Sequence, residues 1–301
     1  MKRYMTPAAY DGTECAVMVG KFDGLHLGHR VLLKEMLRNC GLLTKAILSI
    51  APEAGETKEI LSFSEKQALC EALGFDAYVN LTFTEQVRNT EAGTFVRDIL
   101  IGQLKAKQIY VGEGFRFGRD RSGDTELLKR EAVKYGAEVY VVPAKKNEGQ
   151  LVSSTEIRRR ITEGLTGSVE ELLGQPYYIA GNTREGRKLG RVMNFPTLNL
   201  APPAEKLLPP FGVYRTFTEY DGVTYPSVTN VGVNPSVKDD GRVSVETHLL
   251  RTPQETIPYG AFIRVSFAER IRPERKFASV EELSEQIRKD KETVEKTLQK
   301  Q

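Results

Sequence analysis

The sequence predicts an α/β protein in two parts: an N-terminal doubly wound parallel sheet, then a small antiparallel β-barrel with a C-terminal helix. Three observations predict it. Short apolar strands alternate with amphipathic helices through the first half, the pattern of βαβ crossovers covering a parallel sheet. From Tyr177 the strand-like runs are β-branched and aromatic with no helical pattern between them, as in a small barrel. At the end, Ser279-Val280-Glu281-Glu282 forms a capping box opening a charged amphipathic segment.

The strands expected in the first half are Ala16–Val19, Ala46–Ile50, Ala77–Leu81, Gln108–Val111 and Glu138–Val142. Helical patterns lie between them at His29–Cys40, Ser64–Leu73, Thr94–Leu104 and Thr125–Tyr135, with Ser154–Glu163 after the last strand. Ser64-Glu65-Lys66-Gln67 reads as the cap of the second helix. Ligands of such sheets sit at the carboxyl ends of the strands, near the switch point. The loops after Val19, Val111 and Val142 are therefore where a site is expected. Gly164 to Gln175 reads as a helical or turn segment, and Pro176 starts the second pattern: Tyr178–Ala180, Gly212–Tyr220, Thr224–Val233, Val243–Leu250 and Phe262–Ile271. Asp221-Gly222 is a hairpin turn signal. The domains expected are residues 1–164, a linker over 165–175, and residues 176–301.

Composition narrows the class. The 301 residues are 40% hydrophobic and 28% charged, enough apolar material for two cores. No run approaches a membrane span, and the basic first residues lack an apolar segment behind them. The three cysteines, Cys15, Cys40 and Cys70, have neither disulfide-framework nor zinc-knuckle spacing and suit a reducing cytoplasm. A net charge of +3 does not call for nucleic acid. A nucleic-acid-binding module has only the run Arg158-Arg159-Arg160 behind it. A cytoplasmic protein with no membrane or nucleic-acid partner is expected; oligomeric state is not readable.

Two of the three histidines stand three apart in Gly20-Lys21-Phe22-Asp23-Gly24-Leu25-His26-Leu27-Gly28-His29, between the first strand and the first helix. Glycines allow close backbone approach to a ligand, and a helix N-terminus attracts phosphate. Two imidazoles there suit charge developing on a phosphoryl group. A glycine-rich turn with surface histidines is the plain alternative. A zinc pair lacks a third ligand, and a Walker A loop is absent.

This stretch resembles the H-x-G-H motif of the nucleotidyltransferase superfamily in the form G-x-F-D-G-x-H-x-G-H of bacterial FAD synthetases. The resemblance implies that His26 and His29 bind ATP phosphates and stabilise the transition state, with Gly20, Phe22, Asp23, Gly24 and Gly28 shaping the ATP site. Gly112-Glu113-Gly114-Phe115-Arg116-Phe117-Gly118, with Gly123-Asp124, resembles the family's flavin-side loop and implies flavin contacts at Phe115, Arg116 and Phe117. Val152-Ser153-Ser154-Thr155-Glu156-Ile157-Arg158 matches the S-S-T-x-I-R signature. It implies ATP binding by Ser153, Ser154, Thr155 and Arg158, with Arg158 neutralising the leaving pyrophosphate. Two departures stand out: Gly114 replaces an Asp or Asn, and Ala51-Pro52-Glu53-Ala54-Gly55-Glu56 stands where the family often has P-H-P. Both bear on the strength of FMN adenylylation, so a kinase with a weak adenylyltransferase is a second reading.

In the second half, Phe195-Pro196-Thr197-Leu198-Asn199 resembles the P-T-x-N motif of riboflavin kinases. A hydroxyl and an amide two residues apart on an extended segment share a face and can offer neutral oxygens to Mg²⁺. The resemblance implies that Thr197 and Asn199 bind the metal and ATP, and that the loop with Gly181, Gly186, Gly190 and Arg191 holds ATP phosphates. Gly212-Val213-Tyr214, Asn230-Val231-Gly232-Val233-Asn234-Pro235-Ser236 and Val245-Glu246-Thr247-His248-Leu249-Leu250 follow in the family's order. Glu246 is thereby implied as catalytic base on the ribityl hydroxyl, with Asn230 and Glu246 contacting the flavin. His248 shares the face of Glu246 and is expected to orient neighbours. Asn194, Ser236 and Ala261 depart from the usual Gly, Thr and Lys. The whole pattern implies a bifunctional riboflavin kinase/FMN adenylyltransferase using ATP and Mg²⁺, with riboflavin, FMN and FAD as its flavins.

Overall fold

The structure, a computed structural model, describes residues 1–53, 55, 57–186, 195–233, 243–251, 253 and 256–298. The chain divides into two compact units, Met1–Ser154 and Thr155–Gln301.

The first unit is built on a parallel sheet. Its elements in chain order are β1 (Lys2–Tyr4), β2 (Cys15–Gly20), α1 (Leu27–Asn39), β3 (Thr44–Ala51), α2 (Phe63–Ala72), β4 (Ala77–Thr82), α3 (Glu85–Arg88), α4 (Ala92–Thr94), β5 (Ala106–Gly112), α5 (Thr125–Val133) and β6 (Glu138–Val142), followed by a small hairpin of β7 (Lys146–Asn147) and β8 (Gln150–Leu151). The sheet order is β1-β4-β3-β2-β5-β6, with parallel pairing throughout. β2 is central, and the strand order reverses between β2 and β5, so the loop after β2 opens at the switch point.

One face of the sheet packs a core of Val17, Val19, Leu48, Val79, Ile109 and Val111 against Phe95, Val96 and Leu100. The helix carrying those last three differs from the α-helix expected over Thr94–Leu104. Residues Phe95–Gln103 form a π-helix, and Leu104 N–H reaches the Ile99 carbonyl at 3.0 Å. A wider turn seats Phe95, Val96 and Leu100 on the sheet at once, a device found where helices border functional loops. The cap of α2 is also corrected: Ser62, not Ser64, accepts from Glu65 N–H, and the Glu65 side chain returns to Ser62 N–H. β1 was not expected; only Tyr4 of its three residues is buried, too short a pattern to register.

The second unit contains α6 (Ser154–Thr162, beginning on the last residue of the first unit), α7 (Glu170–Leu173), β9 (Tyr178–Asn182), β10 (Leu198–Leu200), β11 (Gly212–Tyr220), β12 (Val223–Val233), β13 (Val243–Leu249), β14 (Phe262–Pro273) and α8 (Val280–Leu298). The antiparallel sheet runs β10-β13-β12-β11-β14-β9. It nearly closes, because Arg184, just past β9, donates its N–H to the Asn199 carbonyl at 2.8 Å. Asp221-Gly222 makes the β11–β12 turn, both at positive φ.

Inside the barrel, alternate residues are apolar toward one end: Tyr214, Val231, Val245 and Phe267. The rest is polar. Thr216, Thr218, Ser227, Thr229 and Thr247 are fully buried, and their hydroxyls bond in series at 2.7–3.0 Å. A hydroxyl can donate and accept at once, so the inner members of the series bond to neighbours on both sides. α8 is pinned by a buried pair in which Arg272 donates to both oxygens of Asp290 at 2.8–3.0 Å.

Candidate functional site

The loop from β2 to α1 is strained and tightly held. Phe22 and Leu25 have φ of 47° and 45°, a region costly for bulky residues, yet both are buried to within 2%. Their burial anchors the turn around Asp23 and Gly24. Asp23 is the tie point: its Oδ1 accepts Ile60 N–H at 2.8 Å, and its carbonyl accepts the Ser154 hydroxyl at 2.8 Å. The H-x-G-H loop, the segment before α2 and Ser154 are thereby fixed together.

The two histidines are not surface residues. Their rings stack with centroids 3.7 Å apart and planes 16° from parallel, and Phe22 packs edge-on against His29 at 5.1 Å. His26 is 6% exposed. The Nδ1 atoms of both rings are buried without a hydrogen-bond partner among the described residues. Burial pushes the His26 pKa down to about 4 against the pull of Asp23. It drives His29 well below the ordinary histidine value, because a charge there would be desolvated and would repel a protonated His26 and the Lys66 ammonium. Both imidazoles are neutral at physiological pH. His26 is the N-cap of α1 but makes no side-chain cap bond.

Two glycines of the motif make room for its own rings. A Cβ on Gly20 would lie 3.2 Å from the Phe22 ring, and one on Gly28 would lie 3.0 Å from the His26 ring. Their open space is taken by the motif's own aromatic rings. Gly24, at φ 86°, makes the turn.

On the loop after β5, Phe115 and Phe117 stack at 5.4 Å, and Phe117 packs on Phe95 at 5.6 Å. Phe117 belongs to the core, at 5% exposure, while Phe115 is partly exposed. Arg116 is exposed and lies 3.4 Å from Asp124, which caps α5 through Leu127 N–H. Gly118 cannot carry a side chain: at φ 72°, its Cβ would lie 2.7 Å from the Ala92 backbone. Gly114 is different, with nothing within 4 Å of its Cβ position. Of the departing segment after β3, Ala54 and Glu56 lie outside the described residues.

Thr155 is exposed and Arg158 half-buried on α6, Arg158 one turn beyond Ser154. Arg159 pairs with Glu156 and Glu163, and Arg160 with Glu156 and Glu171. Two members of the basic run are thus neutralised by nearby glutamates. Sequence reasoning missed Ser49 of β3 and Asn80 of β4, which lie in register with Gly20 at the end of β2. The Ser49 hydroxyl and the Asn80 side-chain oxygen are buried without partners among the described residues. A single polar residue inside an apolar strand was the available signal.

In the second unit, strand register assembles the other constellation. Asn199 of β10 faces Glu246 of β13, and Glu246 faces Asn230 of β12. All three project from the barrel's outer face, opposite the buried Thr229 and Thr247. Asn199 Nδ2 lies 3.5 Å from the Thr197 hydroxyl, so the expected metal pair shares a side. Ser244 donates to Glu246 at 3.5 Å. His248 Nδ1 bonds the Pro196 carbonyl at 3.0 Å and packs edge-on against Phe195. A carbonyl only accepts, so Nδ1 carries the proton. His248 therefore positions the segment leading to Thr197.

Gly181 sits within β9, paired with Ile263. A Cβ on Gly186 would overlap the Asn199 amide. Gly190, Arg191, Asn194 and Asn234 to Ser236 lie outside the described residues. Glu274 was not anticipated: its carboxylate occupies the space above Gly232, on the face that carries Asn230 and Glu246. Among the described residues no three His, Cys, Asp or Glu side chains gather at metal-binding distance.

Comparison with known proteins decides the family. An FAD synthetase model matches residues 9–156 and a riboflavin kinase model matches residues 173–298. A bifunctional riboflavin kinase/FMN adenylyltransferase from Pseudomonas fluorescens is 32% identical over 284 residues, covering 92% of this chain and 90% of that protein. The chain belongs to the bifunctional riboflavin kinase/FMN adenylyltransferase family. Its counterpart in Bacillus subtilis is 32% identical over 287 residues, with 91% and 89% covered. A solved structure from Streptococcus pneumoniae, described as a macrolide-efflux protein, has a TM-score of 0.79 and 28% identity, covering 97% of this chain and 98% of its own. Among the described residues no helix is long and apolar enough to cross a membrane. The parallel sheet and the nearly closed barrel are the architecture expected of the bifunctional riboflavin kinase/FMN adenylyltransferases.

Proposed function

We propose that the chain carries out two ATP-dependent transfers in succession, riboflavin to FMN in the region 176–301 and FMN to FAD in the region 1–164, with 165–175 as linker. The observation that carries this reading is the pairing of two unlike phosphate-handling sets: neutral stacked imidazoles at a helix start, and a carboxylate flanked by two amides on a barrel face.

In the kinase step, Glu246 takes the proton of the terminal ribityl hydroxyl as that oxygen attacks the γ-phosphate of ATP. Asn230 and Asn199 flank the carboxylate and orient what lies over it. Thr197 and Asn199 would hold Mg²⁺ through neutral oxygens, a donor set that suits a hard cation sharing charge with ATP phosphates. Bound there, the ion would supply charge neutralisation at the phosphates. The loop from Gly181 through Gly186 and Gly190 to Arg191 cradles them.

In the adenylyl step, the FMN phosphate attacks the α-phosphate of ATP and pyrophosphate leaves. No protein nucleophile takes part; orientation and charge stabilisation supply the catalysis. His26 and His29 donate hydrogen bonds to the phosphates at the start of α1. Ser153, Thr155 and Arg158 serve the leaving pyrophosphate, while Gly20, Phe22, Asp23, Gly24, Gly28 and Ser154 fix the loop. Phe115, Arg116 and Phe117 border the flavin. The enzyme acts in the cytoplasm on free flavins and ATP, with no nucleic-acid or membrane partner.

The test is a time course of purified chain with riboflavin, ATP and Mg²⁺, with FMN and FAD resolved by chromatography. FMN rising first and FAD following is the expected result. FMN that accumulates without FAD would remove the adenylyl half, and unchanged riboflavin would remove the kinase half.

A further inference from the structure

The strand that carries Asn199 is short and begins just after a proline. β10 pairs with β13 over three rungs, Leu198 with Thr247, Asn199 with Glu246 and Leu200 with Val245. Thr197 and His248 are the next residues outward and continue that register past the last rung. Opposed residues of an antiparallel pair project to one face. His248 therefore stands beside Thr197 on the outer face, next along it from Asn199 and Glu246. On its other side it is in register with Val228 of β12, whose side chain offers no competing acceptor.

The ladder does not hold the chain before Leu198. Pro196 has no N–H to give, and its carbonyl is bound by a side chain instead: His248 Nδ1 donates to it at 3.0 Å. The same ring packs edge-on against Phe195 with centroids 5.5 Å apart. One imidazole thus holds both residues that precede Thr197. Nδ1 carries a hydrogen in the neutral tautomer that a carbonyl selects and in the imidazolium alike, so the hold does not depend on the ring's charge.

Thr197 is fixed from two sides, by the Leu198 rung after it and by the His248 bond before it. Contact with Asn199 alone would not place it, because Asn199 Nδ2 lies 3.4 Å from its carbonyl and 3.5 Å from its hydroxyl, long for hydrogen bonds. Neutral oxygens attract a hard cation less than carboxylates do, so their placement decides what they contribute.

We propose that His248 is a positioning residue of the kinase site: its Nδ1–H on the Pro196 carbonyl sets Thr197 beside Asn199, and thereby the affinity for metal and nucleotide. The inference rests on reading Thr197 and Asn199 as the metal pair and Glu246 as the base. His248 itself takes no proton in the transfer.

His248→Phe keeps a ring to pack on Phe195 and removes the donor. His248→Gln keeps a side-chain N–H, and His248→Ala carries the test if His248→Phe does not fold. Amide exchange of the full-length, metal-free protein, followed by mass spectrometry over residues 195–200, should be faster in His248→Phe and near parental in His248→Gln. In riboflavin phosphorylation, the Mg²⁺ giving half-maximal rate and the KM for ATP should rise roughly 5-fold in His248→Phe, the scale of one lost hydrogen bond. His248→Gln should restore both. The KM for riboflavin, kcat at saturating Mg²⁺ and ATP, and conversion of FMN to FAD should stay parental. Unmoved Mg²⁺ and ATP dependence, unmoved exchange over 195–200, or His248→Gln behaving as His248→Phe overturns the role of His248. Faster exchange throughout the barrel, with kcat falling and KM unmoved, overturns it as well, since a merely structural residue would give that result. Full riboflavin phosphorylation by Glu246→Ala would instead overturn the site reading beneath it, whatever the His248 variants do.

Discussion

Asn199 and Glu246 stand directly opposite each other on the antiparallel strands β10 and β13. With Asn230 across from Glu246 on β12, one rung of the barrel carries amide, carboxylate and amide in a row. Gly186 closes on this rung so tightly that a methyl group there would overlap the Asn199 amide. Gly186→Ala is therefore expected to displace Asn199 and lower riboflavin phosphorylation by about 10-fold or more. FMN adenylylation, assayed separately with FMN as substrate, should not change. A parent-like kinase rate would show that the amide's position is immaterial.

Asp23 lies inside a motif associated with nucleotide binding, but its carboxylate is engaged with Ile60 N–H. Asp23→Ala leaves that buried N–H without its acceptor, a loss of about 1–3 kcal/mol. Asp23→Asn keeps an acceptor and should lose less. Differential scanning calorimetry should show a lower transition for Asp23→Ala, with FAD formation falling before FMN formation does as temperature rises.

The buried histidines make stability fall with acid. The His26 pKa is pushed down to about 4 from its ordinary 6.5, and His29 is also pushed down. The unfolded chain thus binds protons that the folded chain excludes. Their stabilising contribution is complete above about pH 6.5 and is lost as pH falls from there toward about pH 4. Thermal midpoints measured from pH 7.5 to 4.5 should drop less in a His26→Gln, His29→Gln double variant than in the parent. Equal slopes would mean the rings are solvated.

Gly114 stands where relatives were expected to carry Asp or Asn, and its Cβ direction is empty to 4 Å. Gly114→Asn should fold normally and lower KM for FMN or ATP in the adenylyl step several-fold, an effect on the scale of about one neutral hydrogen bond. Steady-state kinetics of FAD formation would check it. An unchanged KM would place residue 114 outside the substrate contacts.

Much of the fold was legible because its signals are local. The strands from Cys15 to Val142 alternate with helices, and Asp221-Gly222 announces its own turn. Each strand of the barrel was visible except β10, three residues long, which appeared only as the extended face shared by Thr197 and Asn199. Other features depend on long-range contact. The π-helix at Phe95–Gln103 reflects packing on the sheet, and its residues are those of an ordinary amphipathic helix. The cap at Ser62 lost to Ser64 because both precede an acidic or polar residue at suitable spacing. The hydroxyl series from Thr216 to Thr247 was written as alternate Thr and Ser in three strands, but burial decides whether such residues face water. The buried ion pair between Lys66 and Glu59, seven residues apart, reads as ordinary surface charge until the segment before α2 folds onto the histidine loop. The site motifs were legible as residue types; what each side chain bonds was not, as Asp23 and Asp124 illustrate.

The central claim is that two separate sites act in turn, and the most direct measurement is a crossed assay. Parent, His29→Ala and Glu246→Ala are each given riboflavin or FMN with ATP and Mg²⁺, and the flavins are resolved by chromatography. His29→Ala should lose roughly 10²–10³-fold in FMN adenylylation while still forming FMN. Glu246→Ala should lose roughly 10²–10⁴-fold in riboflavin phosphorylation while still converting added FMN to FAD. Equal damage to both steps by either substitution, in protein that remains folded, would contradict the account.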